Sequence, residues 1–261
     1  MTGADAVRLT GVTHTLGGTT VLDGVNLTLE RGAFVCVVGG SGCGKSTLLN
    51  VIAGLDTPVS GTVHVPGGRP SLMFQEHALF PWLTAGRNIE FALRRTGTPK
   101  SELRARSQEL LDLVRLPQAY GRRVHELSGG MRQRVALARA LARGSDVLLM
   151  DEPFAALDAV TRDVLHDELT RVWTTRRPTV LFVTHDVHEA VRLGQRVVLM
   201  AARPGRIAHT WDTAIPYPRH PEDPAVTAAA REITRRLHRE LAPGHRHAGA
   251  AATEEAVCGT S

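Results

Sequence analysis

Apolar and polar positions alternate at Val7-Arg8-Leu9 and again from Val25 to Leu29, on either side of Leu16-Gly17-Gly18-Thr19-Thr20. Alternation of this kind predicts strands with one buried face, and the Gly-Gly pair predicts the turn between them. Ala33-Phe34-Val35-Cys36-Val37-Val38 is instead a continuous apolar run, as are Val147-Leu148-Leu149-Met150 and Thr179-Val180-Leu181-Phe182-Val183. Such runs fit strands buried on both faces of a parallel sheet. Helical spacing takes over elsewhere: Leu48 to Ala53 before a Gly54 stop, Ile89, Ala92 and Leu93, a stripe of Leu103, Leu110, Leu111 and Val114, then Met131–Ala142 and Val160–Thr174. Thr98-Pro99 reads as the N-cap and first position of the helix carrying the second stripe.

Beyond Pro216, Pro218, Pro221 and Pro224, the positions Val226, Ala230, Ile233, Leu237 and Leu241 recur at spacings of three and four among Arg231, Arg235, Arg236 and Arg239. That predicts an amphipathic basic helix packed back on the domain rather than lying on a membrane. Residues 242–261 read as a disordered tail, and His245-x-His247 within them as decoration rather than a metal site.

Strands alternating with helices imply a parallel α/β core interrupted by a helical insertion. The expected units are residues 7–75 (β part and first half of the core), 76–140 (helical insertion), 141–215 (second half of the core), 216–241 (connector and closing helix) and 242–261 (tail).

Composition narrows the partners. The 261 residues carry 43% hydrophobic and 22% charged side chains, an ordinary globular mixture. Lys and Arg total 31 against 26 Asp and Glu, a formal net charge of +5, yet Lys45 and Lys100 are the only lysines. The arginines are scattered and aromatics make up only 4%, which argues against a nucleic-acid partner. No apolar run reaches the ~18 residues of a membrane span. The Met1–Asp5 start has neither a basic nor an apolar signal region, so no secretory signal is expected. Cys36, Cys43 and Cys258 match neither a zinc site nor a disulfide framework, which fits a reducing compartment.

Between the first apolar run and its helix lies Gly39-Gly40-Ser41-Gly42-Cys43-Gly44-Lys45-Ser46-Thr47, a P-loop pattern in the strand-to-helix context that gives it meaning. Its glycines let backbone N–H groups turn inward around phosphate oxygens at a positive helix N-terminus. Lys45 is placed to reach the β- and γ-phosphates, and Ser46 to ligate Mg²⁺. Asp151-Glu152 follows the second apolar run, at the end of the strand where open parallel sheets bind ligands. Asp151 is expected to hold Mg²⁺, and Glu152 to orient and deprotonate an attacking water.

Leu127-Ser128-Gly129-Gly130-Met131-Arg132-Gln133-Arg134 carries a resemblance. It is similar to the signature motif of the ATP-binding cassette (ABC) ATPases, and the rest of that set stands in order. Gln75 is at the Q-loop position, Ala156-Leu157-Asp158 at the D-loop, and His185 at the switch histidine. The resemblance, from about Val7 to Gly205, implies a P-loop NTPase core of mainly parallel sheet with an N-terminal antiparallel part. It implies that ATP and Mg²⁺ bind between two protomers placed head to tail. Ser128, Gly129 and Gly130 of one chain then meet the ATP of the other, since a helix start offers free N–H groups. It further implies that His185 contacts the γ-phosphate, and that Gln75 senses Mg²⁺ and water. Two departures stand out: Leu16 occupies the place of the family's adenine-stacking aromatic, unless His14 substitutes, and Gly40 replaces a frequent proline, which predicts a looser loop. His64 and His209 have no such support.

Gln75-Glu76-His77-Ala78-Leu79-Phe80-Pro81-Trp82-Leu83-Thr84 and Arg203-Pro204-Gly205-Arg206-Ile207 resemble the nitrate/sulfonate/taurine importer ATPases within that family. This implies a homodimer at the cytoplasmic face of the cell membrane, bound to permease subunits and served indirectly by a solute-binding protein. Phe80 and Trp82 are read either as lining a groove for a permease helix or as core of the insertion. An exporter or lipid-handling ATPase is the nearer alternative. A soluble ABC ATPase is the more distant one, since no second cassette or coiled-coil insertion is present.

Overall fold

The computed structural model describes residues 5–74, 78–202 and 204–241. The alternating N-terminal segments are β1 (Asp5–Leu16) and β2 (Thr19–Glu30), an antiparallel hairpin turning at Gly17-Gly18. With β4 (Ser60–His64) on the other side of β1 they form a three-stranded sheet in the order β2-β1-β4.

The second sheet has six strands in the order β5-β6-β7-β3-β8-β9. The three apolar runs become β3 (Phe34–Gly39), β6 (Val147–Asp151) and β7 (Thr179–Thr184), adjacent and parallel, flanked by β5 (Ser71–Met73) and β8 (Arg196–Ala201). Only β9 (Arg206–Asp212) runs antiparallel, on the edge. Successive residues of a strand point to opposite faces, so each run serves two cores. Phe34, Cys36, Val38, Leu148, Met150, Val180 and Phe182 pack under helices on one face. Val35, Val37, Val147, Leu149, Leu181 and Val183 pack against α1 (Lys45–Ala53) and the antiparallel sheet on the other. This two-sided burial is why these runs lack polar positions.

The insertion contains α2 (Ala85–Arg95), α3 (Leu103–Leu113) and α4 (Gly129–Ala142), which join the first core through Ile89, Leu93, Leu110, Leu111, Val135 and Leu137. The expected start at Thr98-Pro99 is corrected: α3 begins after Glu102. Gly97 takes a positive φ of 79° to end α2, and the Thr98 N–H is already bonded to the Leu93 carbonyl. Pro99 merely opens a turn, accepting from the Glu102 N–H. The second half of the core adds α5 (Ala159–Arg176) and α6 (Val187–Leu193).

The proline-rich connector is held by buried Arg219. Its guanidinium donates to the carbonyls of Val191 and Gly194 at 2.6 Å each, and to those of Ile215 and Thr213. Helix α7 (Pro224–Leu241) then packs on α6, burying Val226, Ala230 and Ile233. No helix among the described residues is long and apolar enough to cross a membrane. Cys36 and Cys43 are free and buried; Cys258 and the 242–261 tail lie outside the described residues.

Candidate nucleotide site

The strand order places the ends of β6, β7 and β3 side by side, so the segments that follow them share one edge. After β3 the chain turns through Gly40–Gly44 into α1. Gly44 is left-handed, with φ of 92°, and a Cβ there would lie 2.8 Å from the Leu22 side chain. At Gly39 a Cβ would meet the Met200 carbonyl oxygen at 2.6 Å and Cys43 Sγ at 2.7 Å. Glycine is therefore required at both ends of the loop, by backbone conformation at one and by close packing at the other. Lys45 is buried and folded back on the loop, its Nζ donating to the carbonyls of Gly39 (2.9 Å) and Gly40 (3.1 Å). The departure at Gly40 thus coincides with a loop held by its own lysine. Burial pushes the adjacent Cys43 thiol up, against the lowering pull of Lys45.

Asp151 closes β6 with the Ser46 side chain of α1 beside it. Burial holds its carboxyl above the ordinary range, Glu152 adds to the rise, and Ser46 and Lys45 oppose it. Glu152 has a left-handed backbone, φ 42°, fixed by its N–H to the Val183 carbonyl at 2.9 Å. Non-glycine residues there cost ~1–3 kcal/mol and cluster at functional sites. The result is a carboxylate between two cationic or polar groups: Oε1 lies 4.0 Å from Lys45 Nζ and Oε2 lies 3.0 Å from His185 Nδ1. His185, just past β7, exposes 63% of its side chain.

Ser128 caps α4, its hydroxyl accepting from the Met131 N–H. A Cβ at Gly130 would lie 2.5 Å from Thr161 Cγ2, so this glycine lets the start of α4 seat against α5. Gly129 is half-buried and Ser128 exposed. Asp158 caps α5, accepting from the Thr161 N–H (2.9 Å) and hydroxyl (2.7 Å), and these bonds hold its carboxyl below the ordinary range.

The remaining predicted residues divide. Gln75 lies outside the described residues, as do Glu76, His77 and Arg203. Leu16 ends β1, 50% exposed, and Val21 and Leu22 beyond the hairpin turn touch Gly44, so the tip stands beside the P-loop. His14 is buried with Nδ1 3.0 Å from the Thr57 carbonyl, which removes it as the alternative cover for a base. Phe80 stacks against Trp82 at 5.5 Å and Phe91 at 4.8 Å; Trp82 is 69% exposed and Phe91 exposed too. Two further residues were not singled out from sequence. Gly205 presses on the P-loop, where a Cβ would fall 2.3 Å from the Cys43 carbonyl oxygen. Buried Gln133 of α4 donates to the Pro153 carbonyl beside Glu152. Gly205 had a signal in Pro204-Gly205; Gln133 had none beyond its place in the signature.

The donor set fits a magnesium ion carried with phosphates. Ser46 and Asp151 are hard oxygen donors lying side by side. No cluster of three or more metal-ligating side chains exists among the described residues. Mg²⁺ is commonly bound by one or two carboxylates plus substrate oxygens and water.

A glycine loop entering a helix, with an acid pair at the end of another parallel strand of the same sheet, defines a P-loop NTPase. The chain belongs to the ABC transporter family, whose sequence pattern it matches over residues 22–155. It is similar to the aliphatic sulfonates import ATP-binding protein SsuB of Bacillus licheniformis, 44% identical over 222 residues that cover 82% of this chain and 86% of that protein. It is also similar to the nitrate import ATP-binding protein NrtD of Synechocystis sp., 46% identical over 210 residues, 77% of this chain and 78% of that protein. The dimeric ABC transporter cassette MJ0796 superposes with a TM-score of 0.70 at 32% identity, covering 80% of this chain and 99% of that one. The same cassette is known in a dimeric post-hydrolysis state bound to ADP and Pi. The chain is an ABC ATPase.

Proposed function

We propose that this chain hydrolyses MgATP at the interface of a head-to-tail homodimer and drives a separate membrane permease that imports a small anionic solute of the sulfonate or nitrate kind. The observation that carries the catalytic part is Glu152, held in a left-handed backbone with its carboxylate between Lys45 and His185.

In this reading the P-loop N–H groups and the α1 N-terminus take the phosphates. Lys45 exchanges its bonds to the Gly39 and Gly40 carbonyls for β- and γ-phosphate oxygens. Gly42, Ser41, Cys43 and Thr47 complete the cradle, and Leu16 covers the adenine without stacking. Mg²⁺, when bound, spreads the charge of the phosphate oxygens, and Ser46, Asp151 and Gln75 are the residues that would hold it. Glu152 accepts a proton from water as that oxygen attacks the γ-phosphorus, and the bond to the ADP oxygen breaks. His185 donates to the γ-phosphate side of the same centre and keeps the Glu152 carboxylate oriented. Ser128, Gly129 and Gly130 bring the α4 N-terminus to the ATP on the opposite protomer, and Asp158 shapes the adjoining turn.

The importer reading rests on the names of the relatives and on the cluster of half-buried Phe80 with exposed Trp82 and Phe91, which follows the Q-loop position by a few residues in the chain, a surface suited to a permease helix. It places the chain at the cytoplasmic face of the membrane through that permease, with a solute-binding protein acting at a distance. ATP turnover by Glu152→Gln tests the catalytic assignment. Its kcat is expected to fall by at least about a hundredfold, as loss of a general base commonly does; wild-type turnover would refute the assignment. Copurification of the chain with a permease, with loss of that association in Trp82→Ala, tests the importer reading.

A further inference from the structure

Beneath His185 lies a buried polar cluster that the mechanism above does not use. His166 of α5 is 4% exposed and Glu189 of α6 is 7% exposed, and His166 Nε2 lies 2.6 Å from Glu189 Oε1. The other oxygen of Glu189 accepts from the Thr184 hydroxyl, and Thr184 Oγ1 in turn accepts from the Asp186 N–H at 3.0 Å. Thr184 and Asp186 are the residues on either side of His185. Arg192 completes the cluster, reaching Asp163 at 2.6 Å and Asp167 at 2.9 Å, with Nη1 3.3 Å from His166 Nδ1. A guanidinium only donates, so Nδ1 carries the lone pair and the Nε2 proton is given to Glu189. Phe154, two residues past Glu152, meets the His166 ring at 5.4 Å in an edge contact.

Burying such a group is not an economical way to gain stability, because a well-packed apolar substitute is often neutral or stabilising. What this cluster supplies is direction. One Glu189 oxygen is tied to α5, which Asp158 caps, and the other to the residue that precedes the switch histidine.

We propose that His166 and Glu189 are a positioning pair for hydrolysis: they fix the Thr184–Asp186 turn so that His185 faces Glu152, and they couple its placement to that of α5. Movement of α5 when its Asp158 end meets a second protomer is then passed through His166 and Glu189 to His185. The inference rests on the reading of Glu152 and His185 as the centre of ATP hydrolysis.

The test measures steady-state ATP hydrolysis and thermal midpoint for the full chain, its Glu152→Gln control, His166→Leu and His166→Gln. Glutamine keeps a donor for Glu189 and an acceptor for Arg192; leucine keeps neither. For His166→Leu, kcat is expected to fall about ten- to a hundredfold with KM for ATP within about twofold, the scale of a small misplacement of catalytic groups. His166→Gln is expected to recover most of that loss. Wild-type kcat in His166→Leu would overturn the proposal, as would equal loss in both variants tracking their thermal midpoints. If the leucine variant does not fold, Glu189→Gln decides in its place, since one amide oxygen cannot serve both His166 and Thr184: reduced kcat at unchanged KM supports the pair, and wild-type kcat overturns it. Turnover surviving in Glu152→Gln would show instead that the underlying site reading is wrong.

Discussion

Asp151 shows what the nucleotide site costs the fold. Its carboxyl is held above the ordinary range chiefly by burial, with Glu152 adjacent. A carboxyl whose folded-state pKa lies above its unfolded one favours folding while protonated, and that contribution is lost as pH rises through the folded-state value. At neutral pH the ionised Asp151 therefore opposes folding. Asparagine keeps the size and a polar oxygen beside Ser46 and removes the charge. Asp151→Asn is expected to stabilise the chain by about 0.5–1 kcal/mol after allowance for solvent screening, or about 1–4 °C in thermal midpoint at this size. The gain should shrink as pH is lowered into the carboxylate range, while MgATP hydrolysis is lost. Calorimetry at neutral and acidic pH checks this; a lower midpoint at neutral pH would contradict it. The same logic accounts for Glu152, where the backbone rather than the charge carries the strain.

At the scale of elements, the motifs that sequence revealed are those whose chemistry is contiguous. Gly39–Thr47 joins a strand to a helix, and Asp151-Glu152 ends a strand, so local pattern and site chemistry coincide. The short strands β4 and β5, the edge strand β9 and helix α6 carry too few periodic positions to be read that way. Residues whose work is defined by a distant partner were harder to read: Gln133 acts through Pro153 and His166 through Glu189, while Gly205, marked only by its place after Pro204, acts through the P-loop. Gly205 shows how an element far along the chain shapes the loop: its N–H donates to the Val21 carbonyl at 2.8 Å and its carbonyl accepts from the Asp23 N–H at 3.0 Å. A Cβ there would fall 2.3 Å from the Cys43 carbonyl and 2.8 Å from the Val21 carbonyl, both backbone atoms. Gly205→Ala should therefore push the P-loop out of place, costing about 1–3 kcal/mol and weakening ATP binding about tenfold or more. An unchanged Kd for ATP, measured by titration calorimetry, would contradict that role.

For the whole molecule, the net charge of +5 ceases to be a clue to a polymeric anion. Arg219 is spent on backbone carbonyls, Arg192 on Asp163 and Asp167, Arg196 on Asp212, Arg206 on Asp23 and Arg31 on Asp146. The cation buried at the nucleotide site is Lys45. One protomer supplies a P-loop, an acid pair and His185 at one end of the sheet, and a second helix start at Ser128. Its partner in the proposed dimer supplies the same set in reverse, so ATP joins what each half lacks. The fold class was legible from the apolar runs, but the pairing of protomers was legible only through family resemblance, because no residue pattern within one chain encodes it.

The most direct measurement of that claim is the mass of the Glu152→Gln chain in solution by light scattering, without nucleotide, with MgATP, and with MgATP after a further Ser128→Arg change. Head-to-tail closure over two ATP molecules predicts a monomer without nucleotide, a stable dimer with MgATP, and a monomer again when the bulky arginine blocks the start of α4. A chain that stays monomeric with saturating MgATP, or a dimer indifferent to Ser128→Arg, would contradict it.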